Sequence, residues 1–289
     1  MSMIVSCGNS DGSTGAGGGD GNRPGERATS RAGGGDVAAD GCQASTPTDL
    51  VPVVERRFPH DPTSYVQGLL IEDGVLYESS GRYGESQLRA IDSKTGSVTS
   101  RVDLPADVFG EGLAVGEDGE LVQLTWKKGV AYRWPIGQVR KGGKPSGEFA
   151  YQGEGWGLTT LDDGSLLMSD GSDRLTVRDP VDFSTVATHA VERLGGPSDQ
   201  LNELEFDGTW VWANRYQSTE ILRIDPRCWT VTGVVDAGAL RDEVAQDAEA
   251  ERIKVDVLNG IAHLPGTKRF LITGKWWPTM FEVSFVEKP

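Results

Sequence analysis

The sequence is poor in the residues that build metal and redox sites. Its 289 residues include three cysteines and three histidines. Cys7, Cys42 and Cys228 are widely scattered and form no CxxC pair, which leaves a zinc or thiol redox site with weak support. The histidines are equally dispersed, so a histidine metal site and a Ser-His-Asp triad are also disfavoured.

Basic charge and long apolar runs are lacking as well. The formal net charge is -15 at pH 7, whereas a nucleic-acid partner would require a basic face. No apolar run approaches the roughly 18–20 residues of a membrane span. Hydrophobic residues make up 37% of the chain, enough to bury a core, and the length suits one large domain or two ordinary ones.

The first 48 residues differ in composition from the rest. Residues 8–48 are rich in Gly, Ser and Asp, with little to bury, and are predicted to form a flexible tether. The preceding Ile4-Val5-Ser6-Cys7-Gly8 is similar to a lipoprotein processing box, although the basic and long apolar parts of a signal peptide are missing. Lipidation of Cys7 and an incidental cysteine both stay open. Residues 1–48 are thus interpreted as an export segment and tether, and 49–289 as the catalytic domain of a secreted or lipid-anchored cell-envelope protein.

From residue 51 onward, short apolar runs alternate with turn signals. Asp-Gly pairs occur at 73–74, 118–119, 163–164 and 207–208, and Pro-Gly at 265–266 takes the fifth place. Each turn follows a phrase of the Gly-Leu type and precedes an apolar run such as VLYESS or ELVQLT, the pattern of a strand, a tight hairpin and a second strand. A third strand follows in every unit, and the first four units add a fourth.

The phrase before each turn repeats with a period in the forties. Its register residues are Gln67, Glu111, Trp156, Asn202 and Asn259. Such a period with four strands per unit is typical of a β-propeller. The longer last interval contains RDEVAQDAEAERIKVDV, which is predicted to be a short helical insertion.

The two ends of the repeat region indicate how the ring closes. The fifth unit stops after its third strand, while VPVVERRF at 51–58 is a strand with no unit of its own. The sequence therefore predicts an all-β, five-bladed β-propeller in which the N-terminal strand completes the last blade and the helical insertion lies between blades four and five. A two-sheet sandwich is the alternative, but it does not explain the equal spacing.

The register residues should converge at one end of the central channel, because the first strand of a propeller blade is innermost. A second ring at the end of the second strands should share that rim: Gly81, Trp126, Asp170, Tyr216 and Lys275. Glu111 is the only carboxylate in the first ring. A partly desolvated Glu has a pKa raised from about 4.3, which favours proton transfer near neutrality. The alternative is a channel residue that binds water.

Eight phrases carry a family resemblance: FPHDPTSYVQGL (58–69), GEGL (110–113), LTWK (124–127), GEGWGL (153–158), LNELE (201–205), WANRYQ (212–217), LNGIA (258–262) and TGKWWP (273–278). In this order they resemble the plant- and bacterial-type glutaminyl cyclases, the glutamine cyclotransferase family, from about residue 52 to 286. The resemblance implies a five-bladed propeller that converts the N-terminal glutamine of peptides and proteins to pyroglutamate and releases ammonia.

The resemblance also implies roles for individual residues. Glu111 is the acid and base, with Gln67, Asn202 and Lys275 as polar contacts of the substrate. Trp126 and Trp156 form the aromatic pocket. Tyr65 and Tyr216 stand where the family usually has Phe and Trp, so both positions keep a ring while pocket size and substrate range come into question. Asn259 is predicted to contact substrate or only to brace the channel.

The chemistry fits these residues. A single carboxylate can take a proton from the attacking amine and return it to the departing NH₂. Amide or ammonium donors from Gln67, Asn202 or Lys275 would stabilise the oxyanion, and indoles would orient the side chain. No metal or cofactor is needed, and a monomer is expected.

Two other functions stay open at this point. A calcium-dependent propeller lactonase would use Glu111, Asn202 and Asn259 as oxygen ligands. A non-catalytic propeller would use the same funnel to hold a peptide or sugar. Glu203 and Glu205 are interpreted as structural hydrogen-bond partners rather than catalytic groups.

Cys42 and Cys228 are predicted to form a structural disulfide. Cys228 lies in the turn between the third and fourth strands of blade four, and Cys42 precedes the ring-closing strand, which begins at the same end of the propeller. Two unpaired thiols are the alternative, because a flexible tether need not place Cys42 anywhere fixed.

Overall fold

The computed structural model describes residues 46–289, which form an all-β fold with 22 β-strands and two α-helices. Its short antiparallel sheets are consistent with a propeller. In this part of the chain, no helix has the length and apolarity needed to cross a membrane. The predicted boundary between residues 48 and 49 stays a prediction, because residues 1–45 lie outside the described part.

After the opening strand, the first three groups of strands are separate four-stranded antiparallel sheets. In each of them the strand order follows the chain order, so neighbours are joined by hairpins. The strands are β1 Thr48–Pro59; β2 Val66–Glu72, β3 Val75–Ser80, β4 Gln87–Asp92 and β5 Val98–Asp103; β6 Gly110–Val115, β7 Glu120–Thr125, β8 Val130–Pro135 and β9 Gly147–Ala150; β10 Leu158–Thr160, β11 Leu166–Ser169, β12 Arg174–Arg178 and β13 Thr185–Ala190. A 3₁₀ turn (Glu117–Gly119) precedes β7, and the helix α1 (Ile136–Val139) follows β8.

The last two groups are joined through β1 into one ten-stranded sheet. The strands are β14 Glu192–Arg193, β15 Gly196–Pro197, β16 Leu201–Phe206, β17 Val211–Arg215, β18 Glu220–Asp225, β19 Thr230–Asp236, β20 Leu258–His263, β21 Arg269–Gly274 and β22 Thr279–Glu287, with the helix α2 at Gly238–Glu251. β1 pairs antiparallel with β22 from Leu50 opposite Glu287 to Pro59 opposite Thr279. At its start β1 also pairs in parallel with β19, which links the fourth group to the fifth.

The strand and helix predictions agree closely with this structure. VLYESS, ELVQLT and RFLITG coincide with β3, β7 and β21. α2 occupies the place of the predicted insertion between the fourth and fifth groups, although it begins a few residues earlier. α1 and the β14–β15 hairpin were not predicted, since four helical residues or a two-residue ladder are too short to show a period.

The first strands of the five groups contact one another in cyclic order: β2 with β6, β6 with β10, β10 with β16, β16 with β20, and β20 with β2. The hydrophobic core lies between adjacent sheets. Leu167 and Leu175 of the third sheet, for example, pack with Leu204 and Val211 of the fourth group. Strands buried on both faces read as continuous apolar runs, as in LLMS of β11, rather than as an alternating pattern.

Small residues let the inner strands approach closely just after the register position. A Cβ on Gly112 would lie 2.5 Å from the backbone nitrogen of Leu158. The fourth group has Glu203 at this level instead of glycine. Its buried carboxylate accepts hydrogen bonds from the backbone amides of Leu69 (3.2 Å) and Ile261 (2.8 Å), and so ties β16 to β2 and β20.

Cys228 lies in the turn between β18 and β19 and is disulfide-bonded. That turn is at the end of the strands opposite the register residues. Its predicted partner, Cys42, lies outside the described residues, so the pairing stays a prediction.

Candidate active site

Glu111 lies in a β-bulge at the start of its inner strand. The pairing of β6 with β7 shifts register between Gly110 and Leu113, so the residues between them leave the ladder. Equivalent shifts occur at 66–68 in β2, 201–204 in β16 and 258–261 in β20. A bulge re-aims the side chain of the extra residue, which turns Gln67, Glu111 and Asn202 toward a common space.

The bulges border a pocket of about 400 Å³, here called the rim pocket. Its lining residues are Tyr65, Gln67, Phe109, Glu111, Trp126, Trp156, Asn202, Tyr216 and Lys275. The structure therefore brings together every predicted site residue except Asn259, and it adds Phe109. Aromatic walls with a few polar groups at the base suit a small polar group on an apolar stem.

Glu111 is the buried carboxyl group of the rim pocket, with 4% of its surface exposed. Gln67 holds it by donating a hydrogen bond from Nε2 to Oε1 at 2.9 Å. Burial raises the pKa of Glu111 well above its usual range, while Lys275 opposes the shift and Glu154 adds to it. A carboxyl group with such a pKa can both accept and return a proton near neutral pH.

Lys275 supplies a buried cation in the same pocket. Burial lowers the pKa of Lys275 to about 8, partly offset by the negative charges of Glu111 and Asp256. Its ammonium lies 4.7 Å from the ring centroid of Tyr65 and 5.1 Å from that of Tyr216. These ring faces stabilise the cation in place of water, so the two tyrosines that depart from the family pattern border the lysine.

The aromatic walls consist of rings that meet edge to face. Trp156 and Tyr216 are nearly perpendicular, with centroids 5.3 Å apart. Phe109 packs against Trp126 at 5.6 Å and against Tyr65 at 6.2 Å. Such contacts fix ring orientation beyond what burial alone does. The walls are therefore preformed rather than assembled around a ligand.

Asn202 supplies an unpaired acceptor to the rim pocket. It is buried, and its Oδ1 atom has no hydrogen-bond partner among the described residues. A buried polar atom without a partner is costly. Its position in the lining is explained if a ligand donor, such as an amine or amide N–H, completes the bond.

Asn259 lies outside the rim pocket, in contrast to its predicted role as a substrate contact. Its Nδ2 donates to the backbone oxygen of Val66 at 2.9 Å and to Oε1 of Gln67 at 3.3 Å. Because Gln67 in turn holds Glu111, Asn259 braces the amide that orients the carboxylate. This matches the bracing alternative.

Three of the five residues in the predicted second ring line the rim pocket, and two do not. Trp126, Tyr216 and Lys275 line the pocket, whereas Asp170 accepts bonds from the backbone and hydroxyl of Ser172 in a local turn. Gly81 leaves room for a neighbour, since a Cβ there would lie 2.3 Å from the ring of Phe109.

Two residues of the site were missed by the sequence analysis, Phe109 and Glu154. Phe109 lines the pocket, and Glu154 accepts hydrogen bonds from both pocket indoles. Both lie two residues before a register residue, as Tyr65 does. The spacing they share with Tyr65 gives their position along the chain, but no common residue type marks that position as part of the site.

Glu203 and Glu205 do not line the rim pocket, and their contacts agree with the interpretation as structural hydrogen-bond partners. Both bind backbone amides of neighbouring strands, Glu205 that of His263 at 2.7 Å. Burial raises the pKa of Glu205 to about 8 and that of Glu203 well above the usual range. Glu205 borders a small cavity of about 210 Å³ that is separate from the rim pocket.

The described residues contain no group of three or more His, Cys, Asp or Glu side chains arranged to hold a metal ion. Asn259 points its Nδ2 donor at two oxygens and does not line the pocket. Glu111 and Asn202 line the rim pocket but Asn259 does not, so the three oxygen ligands of the lactonase interpretation do not all border that pocket.

Comparison with known proteins gives a consistent result. The family model for glutamine cyclotransferase matches residues 29–285. A glutaminyl-peptide cyclotransferase of Arabidopsis thaliana is 35% identical over 233 residues, which cover 80% of this chain and 70% of that protein. The crystal structure of Myxococcus xanthus glutaminyl cyclase is also 35% identical, with a TM-score of 0.75 and coverage of 84% of this chain and all of that one.

Proposed function

This chain belongs to the glutamine cyclotransferase family and is a glutaminyl-peptide cyclotransferase, and we propose that Glu111 carries out both proton transfers of its reaction. The substrate is a peptide or protein with an N-terminal glutamine, and the products are the pyroglutamyl peptide and ammonia. The observation that carries this mechanism is the single buried carboxyl group in the rim pocket, held by Gln67 and faced by Asn202 and Lys275.

The first step is ring closure. The neutral α-amine attacks the γ-amide carbon of the same residue, and the ionised Glu111 takes one proton from that nitrogen as the C–N bond forms. The raised pKa makes Glu111 a stronger base than an ordinary carboxylate. Five-membered ring closure requires a folded side chain, and the walls formed by Trp126 and Trp156 restrict it to that conformation.

The second step is release of ammonia. The protonated Glu111 returns its proton to the departing NH₂ group as the original bond between the side-chain amide carbon and that nitrogen breaks. The tetrahedral intermediate between the two steps carries negative charge on the former amide oxygen. Lys275, protonated below a pKa of about 8, supplies the positive charge that stabilises this oxyanion.

Asn202 and Gln67 have different tasks in this scheme. The unpaired Oδ1 of Asn202 accepts a hydrogen bond from an N–H of the substrate. Gln67 donates one N–H of its Nε2 to Glu111, and its Oε1 accepts a bond from Asn259, so its main task is to orient the carboxylate. Of the three donors considered for the oxyanion, Lys275 is the one that carries positive charge, which makes it the main one.

A coupled ammonia-release assay with a Gln-initiated peptide tests the function. We expect stoichiometric ammonia and pyroglutamyl product, unchanged after EDTA treatment, and no product from the same peptide starting with asparagine, because a four-membered ring would be required. Binding of the glutaminyl peptide without turnover would instead favour a non-catalytic binding propeller. Reversible loss of turnover on chelation would contradict the metal-independent mechanism.

We further propose that the five groups of strands form a closed five-bladed propeller, with β1 as the outer strand of the last blade. The cyclic contacts of the inner strands and the pairing of β1 with β22 support this closure. Deleting residues 48–59 should abolish cooperative unfolding, whereas deleting residues 2–40 should preserve it. Cooperative unfolding of the first variant would contradict closure by β1.

Export is also proposed, either as a secreted monomer or with a lipid anchor at Cys7, which lies outside the described residues. The supporting observation is the disulfide at Cys228, because disulfides persist mainly in oxidising compartments. Non-reducing peptide mapping should recover Cys228 linked to Cys42. Size-exclusion chromatography and mass measurement of the envelope-associated protein would test the monomer and the lipid.

A further inference from the structure

Glu154 contacts both indoles of the rim pocket although it does not line that pocket. One of its oxygens, Oε2, accepts hydrogen bonds from Nε1 of Trp126 at 2.7 Å and from Nε1 of Trp156 at 3.0 Å. We propose that Glu154 is a positioning residue that holds the two indole walls at a fixed angle through this shared oxygen. The proposal rests on the proposed function for its kinetic part, but the geometry it describes exists without substrate.

The backbone around Glu154 is itself fixed. The amide of Gly155 donates to the carbonyl of Trp126 at 3.0 Å, and the amide of Trp156 donates to the carbonyl of Ser169 at 3.0 Å. Gly155 also has no room for a side chain, since a Cβ would lie 2.3 Å from the hydroxyl of Tyr151. The carboxylate of Glu154 is therefore presented from a rigid loop.

The second oxygen of Glu154 has a different partner. Oε1 lies 3.3 Å from Nζ of Lys127, whose ammonium lies 3.9 Å from the ring centroid of Trp126. Burial alone would raise the pKa of Glu154, but the two indole hydrogen bonds and Lys127 lower it below the usual value. Glu154 is thus ionised near neutral pH, and both indole bonds are charge-assisted, which makes them stronger than neutral ones.

A shared acceptor has a geometric consequence. An indole turns about two side-chain torsions, and packing against Phe109 or Tyr216 restricts each ring separately. Among the described residues, Glu154 is the side chain that hydrogen-bonds to both indoles. Removing the acceptor would let the walls move independently, and orientation errors of about 1 Å reduce rates by up to about 100-fold.

The charge of Glu154 has an electrostatic consequence as well. Its negative charge is one of the influences that raise the pKa of Glu111. Glu154→Gln would remove that charge and lower the pKa of Glu111. Because the base must be ionised, the acid limb of the kcat/KM profile should then move to lower pH. A residue that only supported the fold would leave this limb in place.

The kinetic experiment compares four variants with a Gln-initiated peptide. Glu154→Gln keeps the size and one oxygen acceptor, and we expect about a 3- to 10-fold loss of kcat/KM; Glu154→Leu removes both bonds, with a loss of about 10- to 100-fold. Lys127→Met removes the ion pair but leaves the indole bonds, so it should cost less than Glu154→Gln. Glu148→Gln, an exposed carboxylate on β9, is the matched control and should behave as wild type.

The structural experiment does not require activity. In ¹⁵N-tryptophan-labelled protein, the indole N–H resonances of Trp126 and Trp156 are assigned with Trp126→Phe and Trp156→Phe. Both should shift together in Glu154→Gln and in Glu154→Leu, and neither should shift in Glu148→Gln. If Glu154→Leu does not fold, Glu154→Gln still provides this test.

The outcomes separate the two claims. Unshifted indole resonances in folded Glu154→Gln, or kcat/KM and an acid limb equal to wild type, would overturn the positioning role while leaving cyclase activity intact. Failure of the wild-type protein to release ammonia would overturn the proposed function, and the resonances would still report whether Glu154 holds both indoles.

Discussion

Glu111 and Glu203 are both buried carboxyl groups on inner strands, and burial raises the pKa of both well above the usual range. Their surroundings differ. Glu203 has both oxygens bound to backbone amides of other strands, whereas Glu111 has one side-chain donor and opens onto a pocket of about 400 Å³. A raised pKa therefore does not by itself identify the catalytic group. The free space beside Glu111 and its uncommitted acceptor capacity are what support the catalytic role proposed for it.

The largest effect is expected for Glu111, the carboxyl group proposed to be catalytic. Glu111→Gln should fold as wild type but lose at least about 100-fold in kcat, because the isostere removes only the proton chemistry. Single-turnover ammonia release and near-UV circular dichroism on the same sample are the measurements. Near-wild-type turnover in a correctly folded variant would remove Glu111 from the mechanism.

The next largest effect is expected for the two indoles that line the pocket beside Glu111 and have no counterpart beside Glu203. Trp126→Ala and Trp156→Ala should each raise KM and lower kcat, with a loss of roughly 10- to 100-fold in kcat/KM, because the ring both binds and orients the glutaminyl side chain. Trp229→Ala is the control, since that indole stacks on His189 and lines no part of the rim pocket. Equal kinetics in all three variants would contradict the pocket assignment.

A smaller effect is expected in the pH dependence of activity, which should report the ionisation of Glu111 and Lys275. Activity should fall as pH drops through the raised pKa of Glu111, at a higher pH than an ordinary Glu near 4.3 would give. It should also fall as pH rises through about 8, where Lys275 loses its proton and its charge. The measurement is kcat/KM against pH, corrected for ionisation of the substrate amine.

Lys275→Arg serves as the control for the alkaline limb. The guanidinium stays charged throughout the accessible range, so the limb near pH 8 should disappear even if the overall rate is lower. An alkaline limb that persists unchanged in this variant would assign it to another group.

The smallest effect on activity is expected for Glu203→Gln. An amide can accept only one of the two backbone hydrogen bonds and places an NH₂ group against the other donor, which should destabilise the fold by about 1–3 kcal/mol. Denaturant unfolding measures this loss, while kcat in the folded protein should stay within a few-fold of wild type. A loss of activity comparable with that of Glu111→Gln would break the distinction between the two carboxyl groups.

The repeat spacing along the chain predicted most, but not all, of the residues that line the rim pocket. Gln67, Glu111, Trp156 and Asn202 were identified because equal spacing along the chain becomes equal position around an axis. Asn259 shares that spacing but lies behind Gln67, because its amide bonds to the backbone of Val66. Spacing identifies the level of a side chain in the channel, whereas the bonds of the neighbouring strand decide whether it reaches the pocket.

Spacing also missed contacts made by residues that lie two positions before the register residues. In chain order these residues are Tyr65, Phe109, Glu154, Gln200 and Val257. No shared chemistry marks these residues, so the repeat pattern could not indicate that Phe109 lines the pocket or that Glu154 bonds two indoles. These contacts depend on the path of loops that join different sheets.

The amino-acid sequence by itself determined most of the strands, their grouping and the strand ends at which the candidate site residues lie. Short-range pattern and turn chemistry specify hairpins, and repetition specifies equivalent positions. Only the tertiary structure decided which buried carboxyl group faces open space. That distinction depends on where Leu69 and Ile261 present their amides to Glu203 and on how Gln67 meets Glu111. Residues far apart in the chain create these environments, and no local pattern encodes the distances between them.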